Sequence, residues 1–318
     1  MNITIVTPPG GSSFGGNRTT AVRWQRFLDE LGHATEVIHS WGGGETDVLI
    51  ALHARKSFES IQRFAEERPQ GLLVVALTGT DLYRDLGRSE EVTKALGLAG
   101  RVVVLQPAAL HRLPPRLHGK VHVIHQSAQV PASRVKRSDT FDVCVLSHLR
   151  EVKDPLLAAS ATRLLPETSR VVVRHAGQAL DEGLGAQARA ESETNPRYEW
   201  VGPLPFDEAS DLLAASRLLV LSSTDEGGAN VISEAIMAGV PPLATDIPGS
   251  RGLLGDDYLG YYQVGDAEGL ARLLTCAESE PAFLTGLKQH CRRLQPLFAP
   301  DREREAWREL LSVGGSGG

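Results

Sequence analysis

Two glutamates eight positions apart, Glu226 and Glu234, flank the glycine pair Gly227-Gly228 in the run Ser222-Ser-Thr-Asp-Glu-Gly-Gly-Ala-Asn-Val-Ile-Ser-Glu-Ala-Ile-Met-Ala-Gly-Val-Pro-Pro242. A carboxylate accepts two hydrogen bonds at once, which suits the neighbouring hydroxyls of a ribose or a sugar ring. Glycines let backbone approach a ligand closely. A helix is expected to begin near Asn230, and its first N–H groups make an anion seat. The segment therefore offers a phosphate seat with polyol acceptors on both sides. A plain glycine turn with two solvated glutamates is the alternative.

A second run, Leu146-Ser-His-Leu-Arg-Glu-Val-Lys-Asp-Pro155, places Arg150 and Lys153 in a loop before a helix expected to open at Pro155. Fixed cations there would stabilise charge that develops on a leaving diphosphate. A third, Pro8-Pro-Gly-Gly-Ser-Ser-Phe-Gly-Gly-Asn-Arg-Thr19, joins the first strand to the first helix. It is neither GxGxxG followed by an acidic strand end nor GxxxxGK[ST], which argues against nicotinamide and P-loop sites. What remains is a glycine-rich anion seat beside Arg18, or a structural glycine turn. His53-Ala-Arg-Lys-Ser57, Thr78-Gly-Thr-Asp81 and His125-Gln-Ser127 follow further strands. They bring His53, Arg55, Lys56, Thr80, Asp81 and Ser127 to strand ends, without a metal-ligand spacing. No metal and no cofactor is expected.

These loops need elements to hold them. Short apolar runs alternate with longer amphipathic ones. Ile3–Val6, Ala34–Ile38, Val48–Leu52, Leu72–Leu77, Val102–Leu105 and Val121–Ile124 read as strands, with helices over Thr19–Leu31 and Phe58–Glu67. After a polar stretch at Pro131–Thr140 the alternation restarts. Phe141–Leu146, Arg170–Arg174, Tyr198–Val201 and Leu218–Leu221 read as strands. Pro155–Leu165, Glu182–Glu193, Asp207–Ala215 and Val231–Gly239 read as helices. Glu280 to Leu311 reads as two helices broken at Pro296 and Pro300. Such alternation defines an α/β chain with two doubly wound parallel sheets, whose ligands bind beyond the carboxyl ends of the strands. The expected division is 1–135, 136–299 and a tail at 313–318, with a helix at 300–312 packing back on the first domain.

Composition removes several classes. The 318 residues are 42% hydrophobic and 23% charged, with a formal net charge of −6. That is a globular composition without the basic field of a nucleic-acid binder. No apolar run approaches membrane-spanning length, about 20 residues. The start, MNITIVTPPGG, lacks the basic and long apolar regions of a signal peptide. Cys144, Cys276 and Cys291 have no CxxC spacing and read as reduced thiols, so a cytoplasmic setting is expected. Neither nucleic acid nor membrane is an expected partner, and the oligomeric state is open.

Glu226-x7-Glu234 followed by Ala235-Ile-Met-Ala-Gly-Val-Pro241 resembles the donor motif of retaining GT-B glycosyltransferases of the glycogen-synthase-like family 4. The resemblance implies a GT-B fold, two Rossmann-like domains facing a cleft. It implies that Glu234 holds the ribose of a UDP-sugar and that Glu226 contacts the transferred sugar. Gly227, Gly228, Ala229, Asn230 and Val231 would line the sugar and diphosphate. Arg150 and Lys153 would meet the diphosphate, although His148 stands where the family usually has arginine. The glycine loop would hold acceptor or donor phosphate through Gly15, Gly16, Asn17 and Arg18.

Residues 7–19, 53–57, 78–85 and 147–155 further resemble the selenosugar synthases of selenoneine biosynthesis, which use selenophosphate against a UDP-sugar. That implies UDP-glucose or UDP-N-acetylglucosamine as donor. It also implies an acceptor seat from Gly15, Asn17, Arg18, Arg55, Lys56, Thr80, Asp81 and Ser127, with His53 beside the catalytic Arg150, Lys153 and Glu226. The rivals are a family-4 transferase with a hydroxyl acceptor and a non-catalytic nucleotide-sugar-binding module.

Overall fold

The computed structural model describes residues 1–8, 16–132 and 134–312. The chain forms two compact units. The first contains the described residues of Met1–Ser127, Glu226–Asn230 and Pro300–Gly318; the second contains those of Ala128–Asp225 and Val231–Ala299.

In the first unit run β1 (Asn2–Val6), α1 (Gly16–Glu30), β2 (Ala34–Ile38), β3 (Val48–Leu52), α2 (Phe58–Glu67), β4 (Leu72–Ala76), α3 (Glu90–Leu98), β5 (Arg101–Val104) and β6 (Val121–Val123). The second holds β7 (Phe141–Leu146), α4 (Leu157–Arg163), β8 (Val171–Ala176), α5 (Glu182–Thr194), β9 (Tyr198–Gly202), α6 (Phe206–Ala215) and β10 (Leu218–Leu221). It continues through α7 (Asn230–Met237), β11 (Pro242–Thr245), α8 (Pro248–Leu254), β12 (Tyr261–Tyr262), α9 (Ala267–Ser279) and α10 (Pro281–Leu294). The last helix, α11 (Pro300–Ser312), belongs to the first unit.

Each unit carries one six-stranded parallel sheet, ordered β2-β1-β3-β4-β5-β6 and β12-β11-β10-β7-β8-β9. The α/β, doubly wound reading of the sequence is correct. The first sheet is covered on both faces, as parallel sheets require. Ile3, Ile5, Val48, Ile50, Val74 and Val103 meet Trp24 and Leu28 of α1 and Trp307 and Leu310 of α11. The alternate residues Val6, Leu49, Ala51, Val75 and Val102 meet Ile61 and Phe64 of α2 and Val92 and Leu96 of α3. This period-2 division explains why β3 is buried along its whole length. In the second unit Cys144 of β7 and Leu219 of β10 pack with Leu213 of α6 and Ala235 of α7.

Several boundaries shift. α4 opens at Leu157 rather than Pro155, because Glu151–Lys153 form a 3-10 turn and Asp154 has a left-handed φ of 41°. The strands β11 and β12, which extend the second sheet, and the helices α3, α8 and α9 lie outside the elements read from the sequence. At the end of β8, a Cβ on Gly177 would collide with the Ser147 carbonyl, so only glycine lets these neighbouring strand ends approach.

Candidate functional site

In a doubly wound sheet the strand order reverses at one point, and the loops on either side of that point open a crevice. In the second sheet the reversal lies between β7 and β10. The loops that follow those strands carry Arg150 and Lys153 on one side and Asp225 onward on the other. They are tied together: Ser222 Oγ donates to the Lys153 carbonyl at 2.8 Å and the Thr224 N–H donates to the Val152 carbonyl at 2.9 Å. Arg150 is exposed and extended, and Lys153 is half-buried. His148 Nδ1 accepts from the Gln178 N–H at 3.1 Å, so this residue props the loop from behind.

The start of that loop is held by His175, at the end of β8. Its Nε2 lies 2.9 Å from the Ser147 carbonyl and its Nδ1 lies 2.9 Å from the Tyr198 hydroxyl. This pattern fits one neutral tautomer, with Nε2–H donating and Nδ1 accepting. Burial pushes its pKa down from 6.5 to about 4. A histidine with a depressed folded pKa keeps its full stabilising effect above about 6.5 and loses it as pH falls toward about 4, because the unfolded chain binds the proton first. We therefore expect the urea midpoint to fall across that window, and to fall less steeply in His175→Gln. Equal slopes in the two proteins would refute this.

Glu226 is buried, with 9% of its surface exposed, and is therefore not the solvated glutamate of a plain surface turn. Glu234 lies half-buried inside α7. Asn230 is the first residue of α7, where the motif led the helix to be expected. Ala229 is buried, and Gly228 and Val231 are half-buried. The glycines have a packing reason that the sequence reading did not give. A Cβ on Gly227 would lie 2.7 Å from the Thr78 carbonyl carbon and collide with the Gly79 nitrogen, and one on Gly228 would collide with Leu105. Glu226–Asn230 thus packs closely on the ends of β4 and β5 within the first unit. Close approach here is to protein, the Thr78-Gly79 backbone for Gly227 and the Leu105 side chain for Gly228.

The first sheet reverses between β1 and β3. Gly15 and most of the loop after β1 lie outside the described residues. Gly16 and Arg18 are exposed at the start of α1, and Asn17 is half-buried. After β3, Arg55 and Lys56 are exposed, as is Thr80 after β4. His53 is buried, with a left-handed φ of 68° unusual for a non-glycine residue. The spacing of His53 and Asp81 in the sequence gives no sign that they meet. The structure puts His53 Nδ1 2.6 Å from Asp81 Oδ1. Asp85 joins them within 4.8 Å and pairs with Arg55 at 3.0 Å.

Two of the expected acceptor residues, Asp81 and Ser127, are buried. Asp81 is fully buried, and its carboxylate accepts from the Thr78 N–H and hydroxyl, each at 3.0 Å, and from the Arg55 N–H at 3.3 Å. It pins two strand-end loops, and a carboxylate would in any case repel an anion. Ser127 is buried and its hydroxyl donates to Glu303 at 2.5 Å. Glu303, Arg23 and Asp85 lie outside the site residues that the sequence suggests. Glu303 lies in a charged helix whose one buried acid has no local sequence signal.

The fold is GT-B: two parallel six-stranded α/β sheets, each wound as in solved GT-B enzymes. The family model of the glycosyl transferases group 1 matches residues 127–293, and the chain belongs to that family. The glycosyltransferase 1 domain-containing protein 1 of Xenopus tropicalis is 25% identical over 271 residues, covering 75% of this chain and 77% of that protein. Anabaena HepE, solved in complex with UDP and glucose, superposes with a TM-score of 0.77 at 17% identity, over 98% of this chain and 100% of that one. The pneumococcal O-GlcNAc transferase GtfA, solved with UDP and GlcNAc, gives 0.69 at 16% identity, over 93% and 60%. At such identities the solved structures speak to the fold. No helix among the described residues is long and apolar enough to cross a membrane.

Proposed function

We propose that this glycosyltransferase moves a sugar from a UDP-sugar, UDP-glucose or UDP-N-acetylglucosamine, to selenophosphate, making a 1-selenosugar for selenoneine biosynthesis. The observation that carries the donor half is the pair of joined loops at the reversal point of the second sheet, one bearing Arg150 and Lys153 and the other Ser222 to Asp225, with Glu234 on the helix that follows. HepE and GtfA, which share the fold, were solved with UDP. The acceptor half rests on the resemblance of residues 7–19, 53–57, 78–85 and 147–155 to selenosugar synthases, supported by exposed Arg18, Arg55 and Lys56.

In this reading α7 seats the diphosphate at its N-terminus, Glu234 takes the ribose hydroxyls and Glu226 those of the sugar. A selenium lone pair forms the bond to the anomeric carbon. The bond from that carbon to the diphosphate oxygen breaks, and the electron pair leaves with UDP, where Arg150 and Lys153 meet the added charge. Water then cleaves the selenium–phosphorus bond and releases phosphate. Selenium is already a strong nucleophile, so this acceptor requires little general-base help, unlike a sugar hydroxyl. The test is incubation with either UDP-sugar plus selenophosphate, reading UDP and a selenium-bearing sugar by mass. No selenosugar, with transfer to a hydroxyl acceptor instead, would leave a family transferase of ordinary acceptor.

Glu234→Ala is expected to weaken UDP itself by about ten- to a hundredfold, the loss of hydrogen bonds to a charged group. Glu226→Ala should spare UDP and lower turnover. Calorimetry showing both variants binding UDP like the parent would remove the donor assignment.

A further inference from the structure

Glu303 sits on α11 with its side chain fully enclosed. A carboxylate is tolerated there because four donors meet it. Trp24 Nε1 donates at 2.7 Å, Arg23 Nε at 2.9 Å, and the Ser127 N–H and hydroxyl at 2.7 and 2.5 Å. Trp24 and Ser127 already serve both carboxylate oxygens. Arg23 reaches further: its Nη1 donates to Asn230 Oδ1 at 3.2 Å. Asn230 Nδ2 lies 3.5 Å from Thr20 Oγ1, which itself donates to the Gly16 carbonyl at 2.9 Å. Both ends of the Asn230 amide are thus met by groups on α1. All these residues belong to the first compact unit.

We propose that Glu303 and Arg23 form a positioning pair: Glu303 fixes the guanidinium plane, and the guanidinium fixes Asn230, the residue on which the first turn of α7 begins. The inference rests on the donor-site reading above, in which that turn seats the diphosphate. Packing α11 on α1 needs Trp24, Trp307 and the Nε contact. It does not need Nη1 to reach Asn230. A planar, forked guanidinium can hold a carboxylate and an amide at once in fixed geometry, which an ammonium cannot.

The test is a double-mutant cycle on UDP affinity, measured by calorimetry on Arg23→Met, Asn230→Ala and the pair, with thermal midpoints recorded alongside. Arg23→Met alone should weaken UDP about tenfold, the size expected for losing a charged hydrogen-bond donor. On the Asn230→Ala background the same change should have no further effect. Arg23→Lys should behave as Arg23→Met, and Glu303→Gln should show the same dependence on Asn230. If Arg23→Met keeps its full effect without Asn230, the pair is merely structural and the proposal is overturned. Should Asn230→Ala leave UDP affinity unchanged while Glu234→Ala weakens it, the relay fails and the donor reading stands. Should Glu234→Ala also leave UDP untouched, it is the donor reading that has failed.

Discussion

Arg150→Ala and Lys153→Ala are each expected to lower turnover by roughly two to three powers of ten, the cost typical of removing one group aimed at developing charge. Nothing in the fold depends on the Arg150 guanidinium. It is exposed and makes no ion pair among the described residues. The backbone that carries both cations is fixed independently, because the Lys153 N–H donates to the Arg150 carbonyl at 2.9 Å and the Lys153 carbonyl accepts from Ser222 at 2.8 Å. Truncating Arg150 therefore removes charge without moving the loop. Charge on the diphosphate increases as the bond to the sugar breaks, so the loss should fall on kcat more than on donor KM. The measurement is a steady-state comparison at saturating donor, with unfolding midpoints to show that the variants are intact. A kcat within threefold of the parent for Arg150→Ala would remove that residue from the mechanism. It would leave Lys153 and the start of α7 to carry the charge.

The sequence made the architecture legible because parallel strands buried on both faces announce themselves as apolar runs. Val48–Leu52 is wholly buried, and its bounds agree with those read from the sequence. Where a strand is short, the signal disappears: β12 is only Tyr261–Tyr262 and cannot be told from a loop. Pro242 opens β11 directly after another proline, which the sequence reads as the end of a helix motif. Site legibility divides the same way. Glu226 and Glu234 stand eight positions apart, and Arg150 and Lys153 three, so local spacing draws attention to each pair. Glu303 meets Arg23 across 280 positions, and no local pattern reports such a contact. His53 and Asp81 stand 28 positions apart, and their closeness follows only from β3 and β4 being neighbours in the sheet. The left-handed His53 turns its side chain toward Asp81 at the end of β3. The sequence cannot display a positive φ on a residue other than glycine.

Inorganic phosphate at millimolar concentration is expected to compete with selenophosphate, and Gly16→Val to raise the apparent selenophosphate KM at least tenfold while UDP affinity changes little. Both would follow if α1 presents its N-terminus as the nucleophile's seat, as proposed, with Arg18 exposed beside it and Arg55 and Lys56 exposed at the end of a neighbouring strand. The variant is suited to the structure. Among the described residues, a Cβ at position 16 would find its nearest neighbour, Asn230 Nδ2, at 3.9 Å, an ordinary contact, and Gly16 is itself exposed. A side chain there thus begins without a clash among the described residues, and the two methyls of valine would cover the first N–H groups of the helix and bar an anion from them. Thiophosphate, with a soft atom in place of selenium, should compete at the same seat and react slowly. A hydroxyl acceptor has no charge to place there, so a hydroxyl-specific enzyme would ignore phosphate and would accept Gly16→Val without a change in acceptor KM. Initial rates at varied selenophosphate, with and without phosphate, distinguish the two. A rate untouched by phosphate together with a parental KM for Gly16→Val would count against selenophosphate as the acceptor. The UDP-sugar half would remain standing, because it depends on Glu234, Arg150 and Lys153 and not on Gly16.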